Sequence, residues 1–509
     1  MSNAALPLWE HSRSAPERTA LYGTADQEWD YATLGGHIAG LAARLRAEAR
    51  IMPGDRVLLI APSTPEFVAA YYAILSAGAV AVTANPMATA TELRYIGTDA
   101  DIALILCWHT ALAASGAAAA SLRIPCWPLR PGLAGLSATQ GPSAPHSVFD
   151  EETAAIIYTS GTTGQPKGAQ LTHGNLTACA RIRQRAQDLQ PDERIGTALP
   201  LFHVYGQACM MGTAMLIGAS LALLPRFDPG ELLQLIRRHR LTMAAGVPTM
   251  WNAVLHAPAG DPEGYTSLRI ASSGGAPLPT EVKSALESRL GCTVLEGYGL
   301  TETTGCATIQ TESRRGKPGS VGAAAPGCAV SIRADDGTKR PAGTIGEVHV
   351  RGPVVMKGYW RRPEATAEVL REGWFATGDL GFLDEDGDLH IVDRKKDMVI
   401  RGGYKVYSRE VEDVLYEHPD ILEVAVIAVP DEHYGEEVGA VVVLRPGRAM
   451  EGHELRAWAK ERLSAYKVPH LIAFAPELPK GATGKILKRA LDLSVFDPRT
   501  LPSKTGGRS

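Results

Sequence analysis

The sequence IIYTSGTTGQPKG, at residues 156–168, runs from an apolar segment into a loop of hydroxyls and glycines that ends in a lysine and a glycine. Glycines let backbone N–H groups approach a ligand closely, Ser and Thr hydroxyls can donate hydrogen bonds, and Lys167 can neutralise negative charge. An oligophosphate requires all three, so the stretch predicts a triphosphate-binding loop. The residues predicted to bind are Thr159, Ser160, Gly161, Thr162, Thr163, Gly164 and Lys167.

This loop does not follow the Walker pattern, which has four residues between its two glycines and places Lys and then Ser or Thr after the second. A flexible surface turn is the simpler interpretation, but short turns rarely carry so many hydrogen-bond donors. The segment resembles the phosphate-binding signature of the ANL superfamily, the adenylate-forming enzymes that include acyl-CoA synthetases, adenylation domains and luciferases. Four further segments of the chain resemble signatures of the same superfamily.

The second segment is EGYGLTETT, at residues 296–304. Glu302 offers the hard oxygen that Mg²⁺ prefers, and Mg²⁺ needs only one or two protein carboxylates because it keeps waters and substrate phosphates. Thr301 can hold a phosphate or carboxylate oxygen. Alone, the pattern could be a helix cap or a loop. The resemblance implies a Mg²⁺ ligand at Glu302, a catalytic role for Thr301, and nucleotide contacts from Glu296, Gly297, Tyr298, Gly299 and Thr301.

Two more segments complete the predicted nucleotide site. Gly274, Gly275 and Ala276 follow a strand-like run, where a tight turn or the close approach of adenine would each explain the glycines. Asp379 can accept hydrogen bonds from both ribose hydroxyls, and the resemblance gives the equivalent aspartate this role, with Arg394 assisting. The acidic turn at residues 384–388 is interpreted instead as a hairpin turn, because its Asp-Gly pair lies between apolar runs.

The acyl pocket is predicted from residues 199–206 and 247–251, LPLFHVYG and VPTMW. A lone histidine is usually structural, but the resemblance makes His203 a gating or catalytic residue beside Tyr205. Val247 and Met250 could equally be core or pocket lining. Synthetases dedicated to acetate or propionate carry a blocking tryptophan where this chain has Gly299, so the resemblance implies a deep pocket for a medium, long, aromatic or polycyclic acid. The Phe202-His203 pair lacks the aspartate that selects amino acids.

The 509 residues exceed one ordinary core, and repeated β-α-β patterns at residues 57–106 predict a parallel sheet covered by helices. We expect an α/β fold with a large multi-layer N-terminal adenylation domain of mixed and parallel sheets at residues 1–395. A small mobile α+β domain would follow at 396–509, with Lys396 at the hinge. Its sequence predicts an amphipathic helix near Ser408 to Tyr416 and a final helix at Leu455 to Leu463. The resemblance makes Lys485, in TGKI, a mobile catalytic lysine that also contacts the nucleotide, although a basic residue near a C-terminus is usually solvated surface. It places Arg401, Gly402 and Gly403 on the CoA side after rotation.

The composition of the chain excludes two kinds of partner, nucleic acid and the membrane interior. A net charge of −4 provides no basic field for nucleic acid, and no apolar run is long enough for stable membrane insertion. The seven cysteines are scattered without metal-ligand spacing, and the N-terminus lacks a signal-peptide pattern, so we expect reduced thiols and a cytoplasmic location. The sequence leaves open whether the chain forms a homodimer.

The resemblance implies that the enzyme uses ATP and Mg²⁺ to convert a hydrophobic carboxylic acid to acyl-AMP, and then transfers the acyl group to CoA. A stand-alone adenylating enzyme that hands acyl-AMP to a carrier protein or partner ligase is the alternative, since it shares the first step. A luciferase-type oxygenase ranks third. A non-catalytic nucleotide sensor is disfavoured because Lys485 and Glu302 are both present.

Overall fold

The computed structural model describes residues 3–24, 27–135, 144–159, 165–258, 262–276, 278–314, 317–481 and 485–496. The chain divides into two compact units. Unit 1 comprises residues 1–331, 349–377 and 386–389, and unit 2 comprises 332–348, 378–385 and 390–509. Each unit therefore contains more than one segment of the chain, whereas the sequence suggested one continuous segment for each. The hinge at Lys396 remains a proposal.

Helices are distributed over both units. Those among the described residues are α1 (Leu6–Ser14), α2 (Tyr31–Ala47), α3 (Pro65–Ser76), α4 (Ala90–Ala100), α5 (Leu112–Leu122), α6 (His173–Ala186), α7 (Gly212–Ile217), α8 (Pro229–Arg238), α9 (Pro248–His256), α10 (Thr280–Leu290), α11 (Pro363–Val369), α12 (Ser408–Tyr416) and α13 (Gly452–Lys460). In the described parts of the chain, no helix is long and apolar enough to cross a membrane.

The strands of the described residues follow the same numbering scheme. They are β1 (Thr19–Tyr22), β2 (Glu28–Asp30), β3 (Arg56–Ile60), β4 (Val80–Ala84), β5 (Ile102–Trp108), β6 (Cys126–Leu129), β7 (Thr153–Thr159), β8 (Lys167–Thr172), β9 (Arg194–Thr197), β10 (Ser220–Leu223), β11 (Met243–Gly246), β12 (Ile270–Ser273), β13 (Thr293–Tyr298), β14 (Thr308–Ile309), β15 (Ser320–Ala324), β16 (Ala329–Arg333), β17 (Gly346–Arg351), β18 (Gly358–Tyr359), β19 (Leu370–Arg371), β20 (Trp374–Leu383), β21 (Asp388–Arg394), β22 (Val399–Arg401), β23 (Tyr404–Val406), β24 (Ile421–Asp431), β25 (Gly435–Leu444) and β26 (Leu471–Phe474).

One sheet of unit 1 has the strand order β18-β8-β7-β4-β3-β5-β6. Strand β3 pairs in parallel with β4 and β5, so the predicted β-α-β repeat is confirmed. Helix α3, between β3 and β4, starts with Pro65, whose fixed φ suits a first helical turn, and its C-terminal end leads into Gly78 at φ +81°. Strands β7 and β8 pair antiparallel, which places Thr159 opposite Lys167.

A second sheet in unit 1 brings two of the predicted signatures together. Strands β10, β9, β11, β12 and β13 are parallel neighbours, and the register places Ser273 beside Glu296. Because the carboxyl ends of parallel strands meet at one edge of a sheet, residues 274–276 and 296–299 emerge side by side. This edge is a common position for ligands in α/β folds.

Unit 2 contains an α+β core, as predicted. Strands β24 and β25 form a long antiparallel pair, β26 adds in parallel to β25, and helix α12 has the predicted bounds. The last helix was predicted at residues 455–463 but spans Gly452–Lys460, because Glu451 and Glu454 form a capping box that fixes an earlier start. Leu463 is still buried although the helix has ended, so its apolar character reflects packing rather than helical periodicity.

Candidate active site

The base of the predicted phosphate loop is a hairpin in unit 1. Residues Ser160, Gly161, Thr162, Thr163 and Gly164 lie outside the described residues, so only its two ends, Thr159 and Lys167, can be placed. Two tyrosines anchor these ends: the Tyr95 hydroxyl donates to the Pro166 carbonyl at 2.8 Å, and the Tyr158 hydroxyl donates to Asp99 Oδ2 at 2.7 Å. The loop therefore leaves the sheet from a fixed base.

Tyr359 connects the phosphate loop to the predicted metal ligand. The Lys167 ammonium lies 5.3 Å from the Tyr359 ring centroid, and the Tyr359 hydroxyl donates to Glu302 Oε1 at 2.9 Å. Burial, reinforced by the neighbouring Glu302 charge, raises the pKa of Tyr359, so its phenol stays protonated and serves as a donor. Strand β18, which pairs with β8, positions the tyrosine. The structure thus brings Lys167 and Glu302 to one place, and the sequence analysis missed Tyr359.

Glu302 is compatible with Mg²⁺ in its donor chemistry. Its residue is 8% exposed, and the Met356 N–H donates to its backbone carbonyl at 2.8 Å, which fixes the short 3₁₀ helix Thr301–Thr303. Within the described ranges, no group of three or more His, Cys, Asp or Glu side chains could hold an ion. A single carboxylate beside a phosphate loop agrees with Mg²⁺, which completes its coordination with waters and substrate oxygens.

A cleft of about 450 Å³ empty volume, open to solvent, lies at the edge of the second sheet of unit 1. Its lining includes six predicted residues: Tyr205, Gly274, Gly275, Glu296, Gly297 and Gly299. The remaining predicted residues of this region, His203, Val247, Met250, Ala276, Tyr298 and Thr301, are not part of that lining. Val247 nevertheless borders the cleft, because its Cγ1 would lie 3.5 Å from a Cβ added at Gly275.

Tyr205 forms one wall of this cleft. It begins a π-helical segment, Tyr205–Met211, and its backbone N–H donates to His203 Nδ1 at 3.4 Å. A Cβ at Gly274 would lie 3.1 Å from the Tyr205 ring, so the absence of a side chain at Gly274 lets this ring pack directly against the backbone. Burial raises the pKa of Tyr205 to about 12, so its phenol is neutral at physiological pH.

Gly299 requires a different interpretation from the one that the sequence suggested. It does line the cleft. However, a Cβ there would lie 2.3 Å from the Gly305 carbonyl carbon and 2.5 Å from the Cys306 nitrogen. Both are backbone atoms, so even a methyl group would force the loop to move. Close packing of the backbone, and not only pocket depth, therefore requires glycine at this position.

Arg183 is the cleft residue that the sequence analysis missed most clearly. It is 4% exposed, and its Nη2 donates to Gln187 Oε1 at 3.2 Å and to Ser272 Oγ at 3.4 Å. The same Ser272 hydroxyl lies 3.0 Å from the Tyr205 hydroxyl. A signal did exist in the sequence: residues 176, 179, 180 and 183 share the buried face of α6, and the last of them is an arginine.

In unit 2, Asp379 and Arg394 form an ion pair, with Nε 3.2 Å from Oδ1. Asp379 is 4% exposed. Desolvation, followed by repulsion from Arg394, lowers the pKa of Lys485 to about 8, although the residue retains exposed surface. Burial and the same arginine also lower the pKa of Lys396. The structure therefore brings four predicted residues of unit 2 into one electrostatically coupled group.

The Gly402-Gly403 pair has a clear structural role in unit 2. Arg401 pairs with Tyr404 across the β22–β23 hairpin, so the two glycines form a two-residue turn, with φ angles of +56° and +85°. Positive φ at both positions is the requirement of a type I′ turn. The Arg401 side chain is held by Glu437, with Nε 2.6 Å from Oε1, and lies 4.0 Å from the Tyr434 ring centroid. A CoA contact remains a prediction.

Two family models match the chain. The AMP-binding enzyme model matches residues 8–360, and the AMP-binding enzyme C-terminal domain model matches residues 410–485. Between them, these matches include most of the segments that were interpreted above as signatures.

Individual proteins are similar over nearly their whole length. A feruloyl-CoA synthase of an Amycolatopsis species is 40% identical over 496 residues, which is 96% of this chain and 98% of that protein. A long-chain-fatty-acid–CoA ligase of Bacillus subtilis (strain 168) is 38% identical over 491 residues, 89% of this chain and 87% of that ligase. The ATP-bound structure of MatB from Rhodopseudomonas palustris superimposes with a TM-score of 0.89 at 33% identity, covering 97% of this chain and 99% of MatB.

Proposed function

This chain belongs to the AMP-binding enzyme family, and we propose that the acid it activates is aromatic, of the arylpropenoic class. It is an AMP-forming acid–thiol ligase of the acyl-CoA synthetase type. Such an enzyme uses ATP to activate a carboxylic acid as acyl-AMP and then transfers the acyl group to CoA. The class of acid that the enzyme activates is inferred below from the residues that line its cleft.

The reaction needs no covalent enzyme nucleophile. A carboxylate oxygen attacks the α-phosphate of ATP and pyrophosphate leaves; the CoA thiol then attacks the acyl carbonyl, loses its proton, and AMP leaves. Catalysis is mainly positioning and charge neutralisation. Lys167 is suited to the phosphates, Asp379 to the ribose, and Lys485 to the adenylation step. A Mg²⁺ ion at Glu302 would add charge neutralisation at the phosphate oxygens.

One observation carries the choice of acid: an aromatic side chain forms one wall of the cleft. The Tyr205 ring packs against the backbone at Gly274, and an aromatic face of this kind packs well against a planar ring. The lining also includes nearly buried polar residues: Arg183, Ser272 and Ser273 are 4%, 3% and 1% exposed. An alkyl chain that reached them would leave polar groups buried without partners, which is costly. Similarity to the feruloyl-CoA synthase supports the same choice.

A substrate panel tests the proposal. Purified protein is incubated with ATP, Mg²⁺ and CoA, and with ferulic, 4-hydroxycinnamic, cinnamic, benzoic, decanoic, palmitic or acetic acid, each also without CoA. Pyrophosphate and the CoA thioester are measured. We expect the arylpropenoic acids to give the highest kcat/KM. Higher kcat/KM for decanoic or palmitic acid would contradict the aromatic assignment while leaving ligase activity intact. Acyl-AMP formation without any thioester would favour transfer to a carrier protein or partner ligase.

A further inference from the structure

A group of polar contacts in unit 2 centres on Lys488, which follows the predicted catalytic lysine, Lys485, by one short stretch of chain. The Lys488 ammonium lies 2.7 Å from Glu412 Oε1 and donates to Ser408 Oγ at 2.7 Å. The Ser408 hydroxyl in turn donates to Asp393 Oδ1 at 3.2 Å, and the Ser408 N–H donates to Asp393 Oδ2. One side chain therefore joins the segment that carries Lys485 to helix α12 and, through Ser408, to strand β21.

Lys488 is the cation that balances two largely buried carboxylates. The Glu412 side chain is 15% exposed, and Asp393 is 6% exposed. Burial raises the pKa of both carboxyl groups, and the Lys488 ammonium opposes each shift. The backbone fixes both acceptors, since Glu412 accepts the Val426 N–H and Asp393 accepts the Arg394 N–H, each at 2.7 Å. The ammonium is therefore held in a defined place.

The backbone contacts of the Lys485 segment serve a different purpose. The Gly481 N–H donates to the Lys485 carbonyl, and the Leu487 N–H donates to the Pro479 carbonyl, each at 2.8 Å. Both hydrogen bonds tie the segment to residues that come shortly before it in the chain. The Lys488 side chain adds the connection to α12 and β21.

This connection leads to the residues that surround Lys485. Asp393 precedes Arg394, which pairs with Asp379, and the charges of both Arg394 and Asp379 act on Lys485. Strand β21 ends shortly before the predicted hinge at Lys396, whereas α12 and the Lys485 segment follow it. The contacts of Lys488 therefore span the predicted hinge and hold the Lys485 segment to the strand that carries Arg394.

We propose that Lys488 is a positioning residue, which holds Lys485 beside Asp379 and Arg394 for the adenylation step. Lys488 acts through Lys485, so its task rests on the proposed role of Lys485 in adenylation and is independent of the class of acid. Transfer of the acyl group from acyl-AMP to CoA does not require Lys485, and hence it does not require Lys488.

The first test compares the two half-reactions in Lys488→Met, which removes the ammonium and keeps the apolar stem. Acyl-AMP formation is measured in single turnovers at saturating ATP, with whichever of 4-hydroxycinnamic and decanoic acid the wild type uses better. We expect its rate to fall by about 10- to 100-fold, because a misplacement of about 1 Å can cost about 10²-fold. Conversion of supplied acyl-AMP and CoA to thioester should keep its wild-type rate. Equal losses in the two steps, or no loss in adenylation, overturn the proposal.

A double variant separates positioning from stability. Lys488→Met leaves Glu412 without its cation, which by itself lowers stability. Combining it with Glu412→Gln removes the unpaired charge and keeps an acceptor for the Val426 N–H. The thermal unfolding temperature should then recover while acyl-AMP formation stays slow, and recovery of both overturns the positioning role. If Lys488→Met is too unstable to assay, the double variant is compared with wild type in its place.

A conservative variant and a matched control complete the design. Lys488→Arg keeps a cation whose fork can reach both acceptors, so it should restore most of the adenylation rate. Lys467 pairs with Glu410 of the same helix, and its side chain is 18% exposed against 21% for Lys488. Lys467→Met should leave acyl-AMP formation unchanged. A loss equal to that of Lys488→Met overturns the proposal, because any ion pair on α12 would then serve.

Lys485→Ala, assayed alongside, distinguishes failure of this proposal from failure of the proposed role of Lys485. If Lys485→Ala loses adenylation and Lys488→Met keeps it, Lys488 does not position the catalytic lysine, and the role of Lys485 stands. If Lys485→Ala itself keeps adenylation, both roles are wrong, and the choice of acid is unaffected.

Discussion

The cleft of unit 1 and the hairpin region of unit 2 each contain a largely buried arginine, and the two arginines differ in their partners. Arg401 is paired with Glu437 and lies against Tyr434. Arg183 has no acidic partner among the described residues, and its Nε is unpartnered. Removing a cation that has an acidic partner leaves that partner buried and unpaired, which costs stability, whereas removing a cation without one carries no such cost. Replacing paired and unpaired cations should therefore affect different measurements.

Lys485 should show the largest effect on activity. No carboxylate forms an ion pair with it in the described part of unit 2, and its pKa is lowered to about 8 by desolvation and by Arg394. Lys485→Ala should reduce acyl-AMP formation by about 10²–10³-fold, the usual cost of removing a charge-stabilising donor. Conversion of supplied acyl-AMP and CoA to thioester should be retained. Stopped-flow assays of each half-reaction provide the measurement, and equal losses in both would assign Lys485 a general structural role.

Arg401 should show the opposite behaviour. Its side chain is 11% exposed and that of Glu437 is 7% exposed. Arg401→Met therefore removes the ion-pair partner of a nearly buried carboxylate, which keeps only the Val438 N–H and, 4.0 Å away, the His470 ring. We expect a loss of about 3 kcal/mol in the free energy of unfolding, measured by chemical denaturation. The double variant Arg401→Met with Glu437→Leu should recover most of this loss. No change in stability for the single variant would refute the distinction between paired and unpaired cations.

A substitution at Tyr359 tests whether this residue orients Glu302, the predicted Mg²⁺ ligand. Tyr359→Phe removes the hydrogen bond to Glu302, and the carboxylate is then less well oriented. Half-saturation by Mg²⁺ in the pyrophosphate-release assay should rise by about 10-fold, within the range for a hydrogen bond to a charged group. Tyr31→Phe, which removes the hydrogen bond from the Tyr31 hydroxyl to the Ala219 carbonyl, is the control and should leave the Mg²⁺ requirement unchanged. The same Mg²⁺ titration curve for wild type and Tyr359→Phe would remove Tyr359 from the metal site.

Gly299 and Gly274 form a matched pair for testing the cleft wall. A Cβ at Gly299 meets backbone, whereas one at Gly274 meets the Tyr205 side chain, which can shift. Gly299→Ala should cost about 1–3 kcal/mol in stability, as expected for overpacking. Gly274→Ala should cost less and should instead lower kcat/KM for bulky aromatic acids more than for small acids. A stable Gly299→Ala variant with altered acid preference would restore the simple pocket-depth interpretation.

A further prediction is a pH dependence confined to one half-reaction. Lys485 needs its proton to neutralise charge, and its pKa near 8 means that the proton is lost as the pH rises through 8. Adenylation should decline by roughly 10-fold for each pH unit above that value. Thioester formation from supplied acyl-AMP should lack this transition. A shared transition in both steps would indicate another titrating group.

Local sequence patterns predicted much of the fold. The β-α-β repeat and helix α12 both follow from short-range periodicity and from residues that stop helices. The sequence also singled out Gly402 and Gly403, but only the register of the β22–β23 hairpin shows that they form its two-residue turn.

Long-range contacts explain what the sequence could not predict. Tyr359 follows Lys167 by almost two hundred residues, and no local pattern indicates that β18 pairs with β8. Likewise, the close approach of Gly305 and Cys306 to Gly299 depends on how one loop folds back on itself. Arg183 was the exception, because its place on the apolar face of α6 could be read from spacing.

The central claim is that this enzyme joins an arylpropenoic acid to CoA through an adenylate. The most direct measurement is mass spectrometry of one reaction that contains the wild-type protein, 4-hydroxycinnamic acid, ATP, Mg²⁺ and CoA. We predict equal amounts of AMP, pyrophosphate and 4-hydroxycinnamoyl-CoA. ADP and phosphate in place of AMP and pyrophosphate, or AMP without the thioester, would contradict the account.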